Sequence, residues 1–247
     1  MNKRIEILRP VDWGSNIVAG VTLRNDILCP PYGLSLAKAE ILNDDECESH
    51  RQIFADAINA DRQSLRFQKQ VHGAMVRQVF SANSIPEESD GMITNEHGIV
   101  LCVLLADCCG VLLYDERNGA IGAVHSGWRG THLGISVVAV EAMQKEFGTH
   151  PEELKAYLSP CASGEKYEVR KDVAELFDTG ITQLDETRFL FDNRICIKQQ
   201  LIKDAGLLPS HITVSHECTI TDTRFHSFRR EGKLSGRITA FIGLKKG

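Results

Sequence analysis

No apolar run in this 247-residue chain reaches the roughly 18 residues that a membrane-spanning helix needs, so a membrane protein is not expected. Positive charge is not in surplus either. The formal net charge is −5, which provides no basic field for nucleic acid, and small polar substrates are the better expectation. The start Met1-Asn2-Lys3-Arg4 runs into Ile5-Glu6-Ile7-Leu8-Arg9 rather than a signal-peptide core, which points to a cytoplasmic protein. Internal repeats, low-complexity tracts and Pro/Gly/Ser-rich linkers are missing, so residues 1–247 are expected to form a single domain. Ready-made catalytic signatures are absent too. His216-Glu217 is followed by Cys218 rather than completing His-Glu-x-x-His, and Pro160-Cys161-Ala162-Ser163 lacks the second cysteine of the zinc deaminases. There is no P-loop, no dinucleotide-binding glycine pattern and no serine elbow.

What is present begins with a hydrophobic content of 43%, enough to bury a proper core. Eight cysteines are scattered along a chain too large to need disulfide staples, so most read as reduced, buried thiols. Ile17 to Arg24 reads as a strand and Cys29 to Gly33 as a loop, and Asp44 or Asp45 can cap a helix running to about Ala57. Leu65 to Val71 and Met75 to Phe80 alternate like a hairpin across His72-Gly73. The centre is strand-rich: Ile99 to Leu105, Val111 to Tyr114 and Ala120 to Val124 are runs expected to be buried on both faces. Asn118-Gly119 predicts a hairpin turn between the last two. After Gly130, the residues Leu133, Val137, Val140 and Phe147 predict one face of a helix that Gly148 stops. Further strands are expected at Leu154 to Leu158, Phe189 to Phe191, near Ile212 and at Ile238 to Leu244, with helices at Lys171 to Phe177 and Asn193 to Ala205. The expected class is α/β, a single mixed sandwich of central β-sheets with flanking helices.

Three segments carry the chemistry. His72 lies in Gln70-Val71-His72-Gly73, Cys108 ends Ala106-Asp107-Cys108 after a long apolar run, and His125 opens His125-Ser126-Gly127-Trp128-Arg129-Gly130 after another. Each stands where a strand-like run gives way to a turn. Two imidazoles and a thiolate suit a zinc ion that keeps one position open. The same residues also fit a turn histidine, a buried thiol and a satisfied core histidine, and spacing alone does not choose. Asp107 can orient a histidine, act as a base, or simply cap an element. Gly127 to Thr131, ahead of a helix, can receive an anion, with Arg129 adding a bidentate phosphate contact. Arg229 or Arg230, in Phe225-His226-Ser227-Phe228-Arg229-Arg230, can bind a carboxylate or phosphate beside a stacking Phe228.

These segments, together with Asp90-Gly91-Met92-Ile93-Thr94, Tyr167-Glu168-Val169 and Cys218-Thr219, closely resemble the bacterial YfiH-like family, in order and over nearly the whole chain. That family carries the label multicopper polyphenol oxidase or laccase-domain and is now read as a purine nucleoside phosphorylase related to mammalian FAMIN. The resemblance implies a fold similar to the catalytic domain of cytotoxic necrotizing factor and a zinc held by His72, Cys108 and His125. It also implies phosphorolysis of adenosine, inosine, guanosine and methylthioadenosine with phosphate, plus adenosine deamination; a monomer or weak dimer is the separate expectation for assembly. One departure is local: Gly110 stands where the family usually has proline, with Cys109 between it and Cys108. A polyphenol oxidase with copper is a poorer fit, because none of the nine histidines forms a His-x-His pair, although the same three ligands would accept copper in vitro. A Cys-His hydrolase that edits an amide in a cell-wall precursor is the rival enzyme, with Cys108 as nucleophile, His72 or His125 as base and Asp107 as orienter. A non-catalytic scaffold is the remaining reading, disfavoured because nothing in the composition suggests a large apolar docking patch.

Overall fold

Successive residues of the central strands feed two different cores, which is why their runs are apolar without interruption. The computed structural model describes residues 5–10, 13–26, 29, 31–37, 42–80 and 87–245; Met1 to Arg4 and Pro30 lie outside them. The strands are β1 (Ile7–Leu8), β2 (Ile17–Thr22), β3 (Leu65–Arg66), β4 (Val76–Gln78), β5 (Gly91–Thr94), β6 (Val100–Leu105), β7 (Cys109–Asp115), β8 (Ala120–Ser126), β9 (Lys155–Leu158), β10 (Glu168–Arg170), β11 (Ile181–Gln183), β12 (Arg188–Phe191), β13 (Ile212–Val214) and β14 (Ile238–Leu244). The helices are α1 (Asp44–Ala57), α2 (Trp128–His132), α3 (Ile135–Phe147), α4 (Lys171–Ala174), α5 (Asn193–Lys203) and α6 (Phe228–Glu231). A five-stranded sheet has the order β1-β2-β14-β6-β3, a six-stranded sheet the order β13-β9-β7-β8-β5-β4, and a small antiparallel sheet the order β10-β12-β11.

The two large sheets pack face to face. Val21, Leu101, Val103 and Ile242 from one meet Leu112, Tyr114, Ile121 and Ala123 from the other. Residues one step along turn outward: Cys102 and Phe241 pack with Phe54 of α1, while Val111, Leu113 and Val124 pack under α3 and α5. The result is a mixed α/β sandwich with helices on both outer faces. Each fully buried Leu or Phe contributes about 1.5–3 kcal/mol through removal of apolar surface from water. Gly110 sits in the central layer, where an added methyl would lie 2.8 Å from Ala240 Cβ and 2.9 Å from Leu105 Cδ1. The absence of a side chain there lets the sheets close.

Most expected elements are present, with informative differences. The β7–β8 hairpin forms across Asn118-Gly119 as read, with Gly119 at φ +58. The hairpin expected across His72-Gly73 does not form. β3 pairs parallel with β6 in the five-stranded sheet, and β4 pairs parallel with β5 in the six-stranded one, so residues 67–75 cross between sheets. Alternation had identified faces, not partners. The cap of α1 is Asn43, whose side chain accepts from Glu46 N while Glu46 accepts from Asn43 N; Asp44 and Asp45 fall in the first turn, where their charge suits the helix dipole. The helix expected after Gly130 is two helices, divided by Gly134 at φ +71. Leu133 is exposed at the break, and the buried face is carried by Ile135, Ala139, Val140 and Met143. α4 stops at Ala174 rather than Phe177.

Glu231 at the end of α6 joins three elements. Its carboxylate accepts from Arg24 Nη1 at 2.7 Å and Arg230 Nη2 at 2.8 Å, and lies 3.5 Å from His226 Nδ1. Burial alone would raise its pKa, but His226 and Arg230 outweigh burial and bring it from 4.5 down to about 2. A depressed carboxylate contributes stability that is present above its unfolded value and lost as pH falls through its folded one. Glu231→Gln is therefore expected to cost about 1–3 kcal/mol near pH 7. In paired denaturant titrations the gap from the parent should close as pH drops from about 4.5 towards 2.

Candidate metal centre

His72, Cys108 and His125 come together at one end of the sandwich. His125 is the penultimate residue of β8, opposite Gly110 in the β7–β8 register, and faces the central layer. Cys108 directly precedes β7, and His72 lies in the crossing from β3 to β4. Their ring nitrogens and the sulfur all lie within 4.8 Å of one another, and this is the one such group of three among the described residues. The two rings meet edge to face with centroids 4.8 Å apart. His125 is buried, Cys108 half-buried and His72 exposed, so the group opens to solvent on one side. Gly127 closes the other side: a methyl there would lie 2.9 Å from Cys108 Sγ and 3.3 Å from His72 Cδ2.

The electrostatics of the group favour a thiolate. Burial pushes the Cys108 thiol up, but His125 and His72 outweigh that and bring it down to about 6. Burial in turn disfavours a charged His125, and the Cys108 sulfur with the Asp90 carboxylate reverses this, raising the imidazole to about 9. A sulfur poised as thiolate beside two imidazoles is a donor set that fits a divalent ion of borderline softness.

Asp90, immediately before β5, was not identified as a site residue from the sequence. It is fully buried, and its Oδ1 accepts from His125 Nδ1 at 2.7 Å and from His72 N at 3.0 Å. Its Oδ2 accepts from Val71 N at 3.1 Å and Gly73 N at 2.8 Å. Asp-Gly reads locally as a turn, and only the fold reveals the carboxylate's partners. Asp107 holds a loop instead of a histidine. Its Oδ1 accepts from Thr219 Oγ1 and its Oδ2 from Arg229 N, both at 2.7 Å, with its own backbone at φ +81.

The group lies in the wall of a cavity of about 540 Å³, within the range that encloses small ligands. Arg129 and Arg229 also line it; Arg230 does not. Arg230 instead donates to the carbonyls of Thr219, Ile220 and Phe225 and to Glu231, which uses it as a structural tie. Arg129 lies over the Trp128 ring at 4.6 Å, and Arg229 over Tyr167 at 5.2 Å with Nη2 on the carbonyl of Glu168. Gly127 to Thr131 proves to belong to the five-residue α2 and its cap rather than to a turn ahead of a long helix. Arg237, half-buried, is a further cavity residue, pinned by the carbonyls of Ser235 and Gly236. Burial and the neighbouring Cys108 hold the Tyr167 phenol up at about 12, so it keeps its proton. Phe228 presents an exposed ring at the rim.

Comparison with known proteins identifies the family. A family model described as multi-copper polyphenol oxidoreductase laccase matches residues 20–245. A protein named purine nucleoside phosphorylase from Staphylococcus epidermidis is 31% identical over 95% of this chain and 94% of its own length. Purine nucleoside phosphorylase YlmD of Bacillus subtilis is 28% identical over 95% of this chain and 93% of its own. The crystal structure of YlmD from Geobacillus stearothermophilus superposes with a TM-score of 0.87 at 25% identity, covering 94% of this chain and 93% of that one. The chain belongs to the YfiH-like, laccase-domain family.

Proposed function

We propose that the protein is a zinc-dependent purine nucleoside phosphorylase that takes adenosine, inosine, guanosine and methylthioadenosine with phosphate, and that it also deaminates adenosine. The observation that carries this reading is one cavity in which the His72, Cys108 and His125 donors share a wall with Arg129, Arg229 and Arg237 and with Trp128, Tyr167 and Phe228. Relatives named as purine nucleoside phosphorylases along almost the whole chain supply the reaction class.

In phosphorolysis a phosphate oxygen bonds to the anomeric carbon while the bond to the purine nitrogen breaks. The purine leaves with the electron pair and takes up a proton, and ribose 1-phosphate remains. The protein's task is to hold an anion against a sugar that becomes cation-like. Arg229 enters with its backbone fixed by Asp107 and its guanidinium fixed by Glu168, so little ordering is left for binding to cost. Arg129, exposed over Trp128, supplies a second fork for phosphate. Phe228 offers a face for the base, and the protonated Tyr167 offers an O–H as negative charge builds on the departing ring. A bound zinc would supply Lewis-acid polarisation of a substrate oxygen.

A multi-copper oxidase is a poorer reading. Such centres need many imidazoles, and among the described residues there is one three-donor group containing two. A Cys-His hydrolase acting on a cell-wall precursor retains one supporting observation, the Cys108 thiol brought to about 6 by its histidines.

Zinc-loaded protein given inosine and phosphate is expected to release ribose 1-phosphate; a folded, loaded sample that forms none would overturn the phosphorylase reading. Arg129→Ala and Arg229→Ala should each raise the KM for phosphate about 10- to 100-fold, the worth of one charge-assisted contact. Arg230→Ala should lower Tm and leave that KM nearly unchanged.

Thiol chemistry separates the two enzymes. After chelation, alkylation of Cys108 by iodoacetamide should accelerate as pH rises through about 6, because the thiolate forms there. Zinc should suppress that reaction. Activity that survives chelation and tracks a freely alkylated Cys108 would favour the hydrolase.

A further inference from the structure

The exposed His72 and the buried His125 come from segments far apart in the chain, yet one carboxylate touches the support of both. Asp90 has no exposed surface, and its four acceptor contacts divide between a ring nitrogen and three successive backbone amides. Its main chain also reaches β8: His125 N donates to Asp90 O at 2.7 Å. The crossing that carries His72 depends on this anchor, because His72 holds φ +60, a left-handed conformation unfavourable for a residue with a Cβ. Three N–H groups aimed at one carboxylate hold that turn in place.

We propose that Asp90 is the positioning residue of the metal centre, a single carboxylate that fixes both imidazole ligands, His125 through its ring and His72 through its backbone. The proposal rests on the metal reading given above. It makes a specific statement about the metal-bound tautomer: with Nδ1–H donated to Asp90, Nε2 is the nitrogen of His125 left to ligate.

Replacement by asparagine tests it because neither orientation of the amide satisfies both sides. If the carbonyl oxygen stays with Val71 and Gly73, the NH2 faces His125 Nδ1, which must then accept; the ring proton moves to Nε2 and that ligand is lost. If the NH2 faces Val71 and Gly73, donors oppose donors, and the turn carrying His72 is displaced. One imidazole is lost either way. Asp115→Asn is the matched control: Asp115 is also a buried carboxylate, accepting from Asn118 N and Nδ2 at the far end of β7.

Zinc binding, measured by competition with a chromophoric chelator, is expected to weaken at least 10-fold in Asp90→Asn. In Asp115→Asn the affinity should hold while Tm falls. Wild-type zinc affinity in a folded Asp90→Asn protein overturns the proposal. Should that variant not fold, nitrogen-15 histidine spectra of the zinc-loaded parent decide it: a protonated Nδ1 and a ligated Nε2 on His125 support the assignment, and a ligated Nδ1 overturns it. If the parent takes up no zinc, the metal reading fails. The metal-free spectrum then judges Asp90 separately, since a slowly exchanging His125 Nδ1 proton supports its hold on the ring and the lack of one refutes it.

Discussion

The site depends on the chain crossing between the two large sheets twice at the same end. β3 leaves the five-stranded sheet and β4 enters the six-stranded one; β6 leaves the first and β7 enters the second. Because β3 and β6 run parallel, both crossings start from the same edge of the sandwich. Gln70 laces them together, its amide donating to Leu104 O and accepting from Leu104 N, both at 2.8 Å. Each crossing turns on one left-handed residue that is not glycine, His72 at φ +60 and Asp107 at φ +81. Such a conformation costs on the order of 1 kcal/mol. Carboxylate bonds offset it in both cases: Asp90 holds the His72 turn, and Asp107 is held by Thr219 and Arg229 N.

The two crossings also explain why the donors face a cavity rather than vanish into the core. Val124 and Ala123 are wholly buried, and His125 continues the inward-facing parity of Ile121 and Ala123. The layer ends there, so a polar side chain can occupy a core-facing position with its far edge towards open space. Burying the Asp90–His125 pair carries a desolvation penalty on the order of several kcal/mol per ion, more than a single hydrogen bond returns. Its compensation comes from the other three N–H groups on the carboxylate and from the Cys108 sulfur next to the ring.

How much of this was legible in the sequence follows from range. The runs around Val103, Leu112 and Ile121 announced doubly buried strands, and Asn118-Gly119 announced their hairpin, because both signals are local. His72, Cys108 and His125 stood out as ligand types at strand ends. Partners distant in sequence did not show. Leu65 to Val71 and Met75 to Phe80 alternate as a hairpin would, yet the strands within them, β3 and β4, pair with β6 and β5. Asp90 looks like a turn residue until its four donors are seen. Nor does Arg229-Arg230 disclose which guanidinium is committed to carbonyls; the helical step between neighbours sends Arg229 to the cavity and Arg230 to the loop.

The distribution of charge around the cavity bears on which chemistry the site serves. Three arginines line it, and Asp107 is the one acid among the described lining residues. Asp107 accepts from Thr219 Oγ1 and Arg229 N, while the Arg229 guanidinium itself donates to the carbonyl of Glu168, so one carboxylate stands against three guanidiniums. At the floor, the Asp90 carboxylate and a Cys108 thiolate carry two negative charges, which a divalent cation bound to the neutral imidazoles would balance. With the floor so balanced, the three arginines against one acid would leave the walls with an excess of positive charge. A neutral amide gains little from such a field, whereas an anionic co-substrate is drawn in and held at the low-dielectric surface. The arrangement is therefore better matched to a reaction in which phosphate is the attacking group than to one in which water or a thiolate attacks alone.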